Sequence, residues 1–322
     1  MNRSYFLKRL FFALFTVFTI LVLNYFLFRI MPGDPVSVLV RNPNMSAEAV
    51  AKVRQMFGLD KPWYQQFFIY LKDLTKGNMG NSFIYKKPVA GIITERLMAS
   101  LLLTILAEII AIVAGLFLGV VAAWKRGKSI DIAAMGFSLI TYAMPTFWLG
   151  ILMMTFFSVH LRMFPTSGML SPGMVFVQGF NRWTDIGRHI FLPALTLSLV
   201  LIGEYMLIMR STLIDILTED YIITAEAKGM DEKSILKKHT LLNAMIPMVT
   251  LISMNLGFTI TGALQVETVF SWPGLGRLMY DALQARDYPL LQGIFLITGL
   301  GVVGANFISD ILYGYLDPRV NS

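Results

Sequence analysis

The sequence predicts an all-α protein that crosses a membrane six times. Three observations lead there. Of the 322 residues, 56% are hydrophobic and only 15% are charged, where soluble domains carry about 25% charged residues. The mean hydropathy is +0.63. The apolar residues also gather into six stretches, at 10–28, 101–123, 132–161, 190–208, 242–264 and 290–309. Each is long enough for a helix to cross the hydrocarbon core, which takes about 20 residues. The chain contains no cysteine, which excludes disulfides, thiolate metal sites and cysteine nucleophiles. The net charge of +7 is spread over the polar joints between apolar runs, a pattern of membrane topology and not of nucleic-acid binding.

Residues 1–31 read as a short tail and the first spanning helix. Arg3, Lys8 and Arg9 precede the apolar run as they would in a signal peptide. The run is too long for one and lacks a small-residue cleavage site, so a retained anchor is expected. Pro32, Gly33, Asp34 and Pro35 break that helix. Residues 32–100 then form an extracytoplasmic helical loop. In it, Ser46 caps a helix running to Phe57, residues 63–74 form an aromatic-rich amphipathic helix, and 77–82 is a turn. The loop is either a solvated segment lying on the membrane or a docking surface. Trp63 and Tyr64 are its candidate anchors, with Pro273 and Gly274 on the later joint of the same side.

Residues 101–322 form the transmembrane core. Its first span carries one charge, Glu108, and a Gly115-xxx-Gly119 pair spaced for close helix packing. The next is interrupted by Pro145, which predicts a tilt or kink. The following span carries Glu204 near its end. A carboxylate in mid-membrane costs about 3 kcal/mol on insertion scales. Glu108 and Glu204 are therefore expected to face protein or water, either lining a translocation path or closing an interhelical hydrogen bond. Asn255, Gln265 and Asn306 read as packing hydrogen bonds.

Residues 210–247 are the longest polar interruption in the second half. They read as two short helices joined at Gly229, where a left-handed residue ends the first. Leu213, Leu217, Tyr221 and Ala225 recur every four residues, as one face would. Asp231 is the expected N-cap of the second helix, with Met230 and Ile235 as a hydrophobic staple. Ile235, His239, Leu242 and Ile246 form the second stripe. The N-terminus, the 125–128 joint, this loop and the C-terminal tail hold 12 of the 27 Lys and Arg residues, and the two short joints at 162–189 and 265–289 hold five. Both termini and the loop are therefore expected in the cytoplasm.

Motifs for catalysis are missing. Gly127-Lys128-Ser129 resembles the end of a phosphate loop, but the Gly needed five positions earlier is Ala122. The three histidines lack zinc-protease spacing, and no GxSxG elbow occurs. No enzyme activity is expected. Two mid-span carboxylates would suit a proton-coupled carrier, but the paired broken helices of such carriers are not legible.

The 210–247 loop is recognisable. Asp220-Tyr221-Ile222, Thr224-Ala225, Ala227-Lys228-Gly229, His239, Asn243-Ala244 and Pro247 resemble the signature loop of permease subunits in binding-protein-dependent ABC importers. More narrowly, the chain resembles the first permease of the dipeptide/oligopeptide group. Glu267-Thr268-Val269-Phe270, Pro273-Gly274-Leu275-Gly276, Arg286-Asp287-Tyr288 and the closing Leu316-Asp317-Pro318-Arg319 agree, as do Pro32-Gly33-Asp34-Pro35 and Gly58-Leu59-Asp60-Lys61-Pro62. Ile223 departs from it, standing where the broad signature has Glu.

The resemblance implies a type I importer permease in a prokaryotic inner membrane, moving di- or oligopeptides by alternating access. It implies a second homologous permease, two cytoplasmic ATPase subunits, an extracytoplasmic substrate-binding protein and surrounding lipid as partners. ATP and magnesium belong to the ATPases, and no cofactor is expected on this chain. It implies ATPase coupling through Tyr221, Thr224, Ala225, Ala227, Lys228, Gly229, His239, Asn243 and Pro247. Relatives importing oligosaccharides, nickel chelates or glutathione share this architecture. A stand-alone carrier or a membrane scaffold is the reading without the resemblance.

Overall fold

The computed structural model describes residues 3–30, 48, 61–174, 176–259 and 261–316. The break at 32–35, the helix expected from Ser46 to Phe57 apart from Glu48, the 58–60 part of the motif before Lys61 and the tail beyond 316 lie outside the described residues. Within them the chain is helical. The helix α1, Arg3–Ile30, opens it. Two much longer helices follow than hydropathy alone marks. Helix α3, Val89–Trp124, has 36 residues, and α6, Phe180–Leu217, has 38. Hydropathy detects only the lipid-matched part of each. Glu95 and Arg96 in α3 and Arg182 and Arg188 in α6 continue the same helices into polar surroundings. Between α1 and α3 lies α2, Trp63–Thr75.

The span around Pro145 is broken outright. Helix α4, Ser129–Ala143, and the helix α5, Thr146–Met153, with its π-helical continuation Met154–His160, meet at 105°. Proline disfavours a helical residue before it, and Met144 accordingly adopts an extended backbone with ψ 130°. By length and composition the described residues hold five helices able to cross a membrane, and six spans when the bent pair is counted as one.

After α6 come α7, Asp220–Ala227, and α8, Glu232–Ile235. A π turn at Leu236–Thr240 leads into α9, Leu241–Thr259. The apolar stretch expected to run to 264 ends at Thr259, because the backbone turns at Gly262 with φ +78°. Two short helices, α10 at Leu264–Val269 and α11 at Leu275–Gln284, precede the last helix α12, Tyr288–Leu316.

Helix α6 is the centre of the packing. On one side it lies against the small-residue stripe of α3, where a Cβ added to Gly115 would sit 2.5 Å from Tyr205 Cβ and one on Gly119 2.7 Å from Met209 Cβ. On the other, a Cβ added to Gly203 would sit 2.7 Å from the Ser138 carbonyl oxygen of α4. Helices α1 and α12 form the flank, joined at one end by the Arg9–Asp310 ion pair at 3.1 Å. The starts of α3 and α12 meet at the other end, where Val89 packs on Gly293. The 125–128 joint therefore shares an end of the bundle with both described chain ends.

Candidate functional site

The candidate coupling turn is built where α6 stops. Helix α6 ends at Leu217, and α7 restarts after Thr218 and Glu219. The break separates the residues that periodicity had placed on one stripe. Leu213 is buried in the packing of α6, whereas Ala225 is buried with Ile222 and Ile235, with Ile216 and Met230 around them. Ala225 thus faces inward and holds the turn together, a correction to its expected place on the partner-facing stripe. Tyr221, Ile223, Thr224, Ala227 and Lys228 form the exposed face of α7. Gly229 has φ +80°, and a Cβ there would meet no atom within 4 Å. Asp231 caps α8 by accepting from the Ser234 amide at 3.2 Å. The hydrogen bonds to Ser234 hold its carboxyl below the usual range.

The second stripe is shifted. Ile235, Thr240, Ala244 and Met248 are the buried residues, while Leu242 and Ile246 are exposed and His239 half-buried. A π turn uses one more residue per turn than an α turn, so a spacing of five separates Ile235 from Thr240 before spacings of four resume. Thr240 Oγ1 donates to the Ile235 carbonyl at 3.2 Å across that wider turn. Asn243 Nδ2 donates to Tyr221 Oη at 3.0 Å and to the His239 carbonyl at 2.8 Å. The three residues therefore brace α7 against the start of α9. Pro247 sits exposed within α9.

Two turns before α6 ends, Arg210 grips Asp131 in the first turn of α4. Its Nε donates to Oδ1 at 2.5 Å and its Nη2 to Oδ2 at 2.8 Å, while the Gly127 amide donates to Oδ2 at 2.9 Å. Asp131 is buried. This clamp ties the 125–128 joint to the helix that leads into α7. Sequence reasoning treated Arg210 as the edge of a loop and passed over Asp131. The available signal was an acid in the first turn of a helix directly after a basic, glycine-containing joint. Removing one partner of a buried pair strands the other, at a cost of about 3–5 kcal/mol. We expect Asp131→Leu and Arg210→Met each to lower the yield of assembled protein, and the double variant to recover most of it. A double variant as poor as the worse single would show that the pair does more than neutralise itself.

In the middle of the bundle, the two carboxylates singled out by the sequence belong to one hydrogen-bonded chain. Tyr205 Oη donates to Glu108 Oε1. Asn255 Nδ2 donates to Tyr205 Oη at 3.1 Å and to Glu204 Oε2 at 3.4 Å. Three helices, α3, α6 and α9, are thereby tied at one level. Glu108 is buried and Glu204 half-buried. Tyr205 was not foreseen, because a tyrosine on an apolar helix reads as ordinary core.

At the opposite end of the bundle, the stretch 262–277 folds around the carboxylate of Glu267. Ser100 Oγ on α3 donates to Oε1 at 2.6 Å, the Ala263 amide to the same oxygen at 3.2 Å, and the Arg277 amide to Oε2 at 3.0 Å. The Gly276 amide adds a further bond. Gly276 and Arg277 lie in the first turn of α11, where free amides and the helix dipole suit an anion. Burial pushes the Glu267 carboxyl up from its ordinary range, and these donors pull it back. Trp272, also buried, donates from Nε1 to the Ala99 carbonyl at 2.8 Å. A Cβ on Gly274 would lie 2.3 Å from Glu267 Cδ. Gly274 is therefore interior and Pro273 half-buried, and neither offers the docking surface expected of it. The exposed side of α11 carries Tyr280 and Leu283 instead. Asp287, between the end of α11 and the start of α12, plays a parallel role. It accepts from Ser82 Oγ at 2.5 Å and from the Ile84 and Leu290 amides at 3.1 and 3.3 Å.

Residues 115–322 match the family described as binding-protein-dependent transport system inner membrane component. Residues 1–104 match the N-terminal part of the same systems' membrane component. The dipeptide transport system permease protein DppB of Escherichia coli (strain K12) is 37% identical over 334 residues, covering 98% of both chains. The glutathione transport system permease protein GsiC of Escherichia coli O6:H1 is 36% identical over 317 residues, again covering 98% of each. A solved inward facing structure of the MetNI methionine ABC transporter superposes with a TM-score of 0.53 at 16% identity. That match covers 70% of this chain and 96% of the other, and it supports the fold.

Proposed function

The chain belongs to the inner membrane components of binding-protein-dependent transport systems, and on that premise we propose that it is the permease subunit of an ATP-driven importer of short peptides. The observation that carries the mechanism is the exposed face of α7. Tyr221, Ile223, Thr224, Ala227 and Lys228 are presented to a partner on a helix too short to be stable alone. The inward Ile222–Ala225–Ile235 cluster and the Tyr221–Asn243 bond set its angle.

We assign that face to a cytoplasmic ATPase, a homologous second permease to the other half of the path, and a substrate-binding protein to the opposite end, where Tyr280 and Leu283 are exposed. ATP-driven closure of the ATPases would move α7, and the clamp Asp131–Arg210 would carry that movement into α4 and α6. Substrate stabilises one of the two bundle arrangements through differential contacts. The two relatives are by name a dipeptide and a glutathione transport permease, and glutathione is itself a tripeptide, which favours a short peptide over a sugar or a nickel chelate.

Gly229→Val tests this with one residue. The left-handed backbone makes a side chain cost roughly 1–2 kcal/mol, and the open surroundings mean strain is the only penalty. In vesicles holding the complete transporter, dipeptide should stimulate ATP hydrolysis and uptake together in the unsubstituted protein. The valine variant should reach the membrane at normal levels, hydrolyse ATP and take up little peptide. Normal coupling in that variant would remove the turn from the mechanism. Stimulation by an oligosaccharide and not by peptides would replace the substrate.

A further inference from the structure

We infer that α2 is an interfacial helix whose Tyr64–Phe68 edge, with Trp63, lies in membrane lipid. The inference holds whichever end of the bundle faces the cytoplasm. It starts from how α2 meets α1. Trp63 and Tyr70 are seven residues apart, about 10.5 Å along a helix, yet they bind adjacent residues of α1. The Trp63 carbonyl accepts from Tyr25 Oη at 2.9 Å, and Asn24 Nδ2 donates to Tyr70 Oη at 3.3 Å. A helix running along α1 would meet residues about seven apart. Helix α2 therefore crosses α1, and because α1 spans the membrane, α2 lies close to the membrane plane.

The depth also fits. The apolar stretch of α1 runs over Tyr5–Phe28. Tyr25 is three residues inside its end, about 4.5 Å. Interfacial helices bury their apolar face by about 5–10 Å.

The sides of α2 are sorted for that position. Phe67 and Tyr70 pack on Tyr25, with ring centroids 5.1 and 5.7 Å away. Trp63, Tyr64 and Phe68 are 61%, 48% and 68% exposed. At 100° per residue, Leu71, Tyr64 and Phe68 form one edge beside the α1 contact, and Lys72 and Gln65 follow on the far side. The Trp63 ring lies 5.8 Å from Phe26 of α1, whose helical neighbours Leu23 and Leu27 are exposed. The aromatic edge is thus continuous with the apolar surface that α1 presents to acyl chains. Trp and Tyr are the residues enriched at that depth. This places Trp63 and Tyr64 against lipid, and not against the binding protein that their aromatic character suggested.

The absence of cysteine makes the test direct. Single variants Tyr64→Cys, Phe68→Cys, Gln65→Cys and Lys72→Cys carry a nitroxide label in the assembled transporter in lipid nanodiscs. Collisions with oxygen, which partitions into lipid, are compared with those of a water-soluble nickel chelate. The oxygen-to-nickel ratio should be several-fold higher at 64 and 68 than at 65 and 72, and unchanged by the substrate-binding protein. Nickel access at 64 and 68, or its loss when the binding protein is added, would overturn the proposal and return this edge to protein docking. A second measurement uses the unsubstituted chain. A lipid carrying a photoreactive group in its upper acyl chain should modify the 63–71 peptide, and no modification there would also overturn it.

Discussion

Glu267→Ala is expected to abolish recovery of folded protein. The substitution leaves the Ala263, Gly276 and Arg277 amides and the Ser100 hydroxyl pointing into a buried void. Each stranded donor costs about 1–3 kcal/mol, against a total stability of about 5–15 kcal/mol for a folded domain. Glu267→Gln should be intermediate. It keeps one acceptor oxygen but turns an amide group toward donors, and only the Ser100 hydroxyl can rotate to suit. The yield of purified complex in detergent, with thermal unfolding of what is recovered, would rank the three proteins, and an alanine variant recovered and melting with the parent would show that the carboxylate holds nothing. The glycines of Gly262, Gly274 and Gly276 follow from the same cradle, since a Cβ on any of them meets Glu267 or the backbone within about 3 Å.

The second large effect is expected at Gly119. A leucine there would drive Cβ to 2.7 Å from Met209 Cβ and 3.0 Å from the Met206 carbonyl. Both neighbours lie on the helix around which the protein is packed, so relief requires α3 and α6 to separate. That would weaken the Glu108–Tyr205 bond, whose acceptor lies seven residues before Gly115 on α3, as well as the stripe itself. Overpacking costs about 1–3 kcal/mol where a core can adjust, and two helices of this length adjust poorly. Gly119→Ala should show a smaller loss, and Gly136→Ala, with nothing within 4 Å of the new methyl, should be silent. Equal membrane levels for Gly119→Leu and Gly136→Ala would refute close packing as the purpose of the stripe.

What the sequence made legible was local. Gly229 and Asp231 could be read because a left-handed stop and a cap are each decided by one residue and its immediate neighbours. The small-residue spacing at 115 and 119 likewise points to a close helix crossing without naming the partner helix. The stripe through His239 and Leu242 could not be read correctly, because one π turn shifts the register and leaves no mark in composition. The same holds for Ala225, whose side depends on where α6 breaks. Glu108 and Glu204 were visible as anomalies in apolar spans. Their link through Tyr205 and Asn255 was not, since it depends on three helices meeting at one level. Asp131 escaped notice, and Glu267 was marked only by the resemblance and not as a buried acceptor, for a different reason. Both lie beside turns, where a carboxylate looks solvated until the fold closes over it.

The interlock of α3 with α6 has a mechanical consequence. Helix α3 has 36 residues, a length of about 54 Å against a hydrocarbon core of about 30 Å. Helices keyed together by glycines resist sliding, so the pair behaves as a stiff beam with both ends beyond the lipid. Pivoting such a beam by about 10° at its middle sweeps each tip through roughly 5 Å, in opposite directions. A small push near Arg210 is then felt as an opposite displacement near Ser100 and Glu267, carried past Pro193 of α6 by α3, which has no proline along its length.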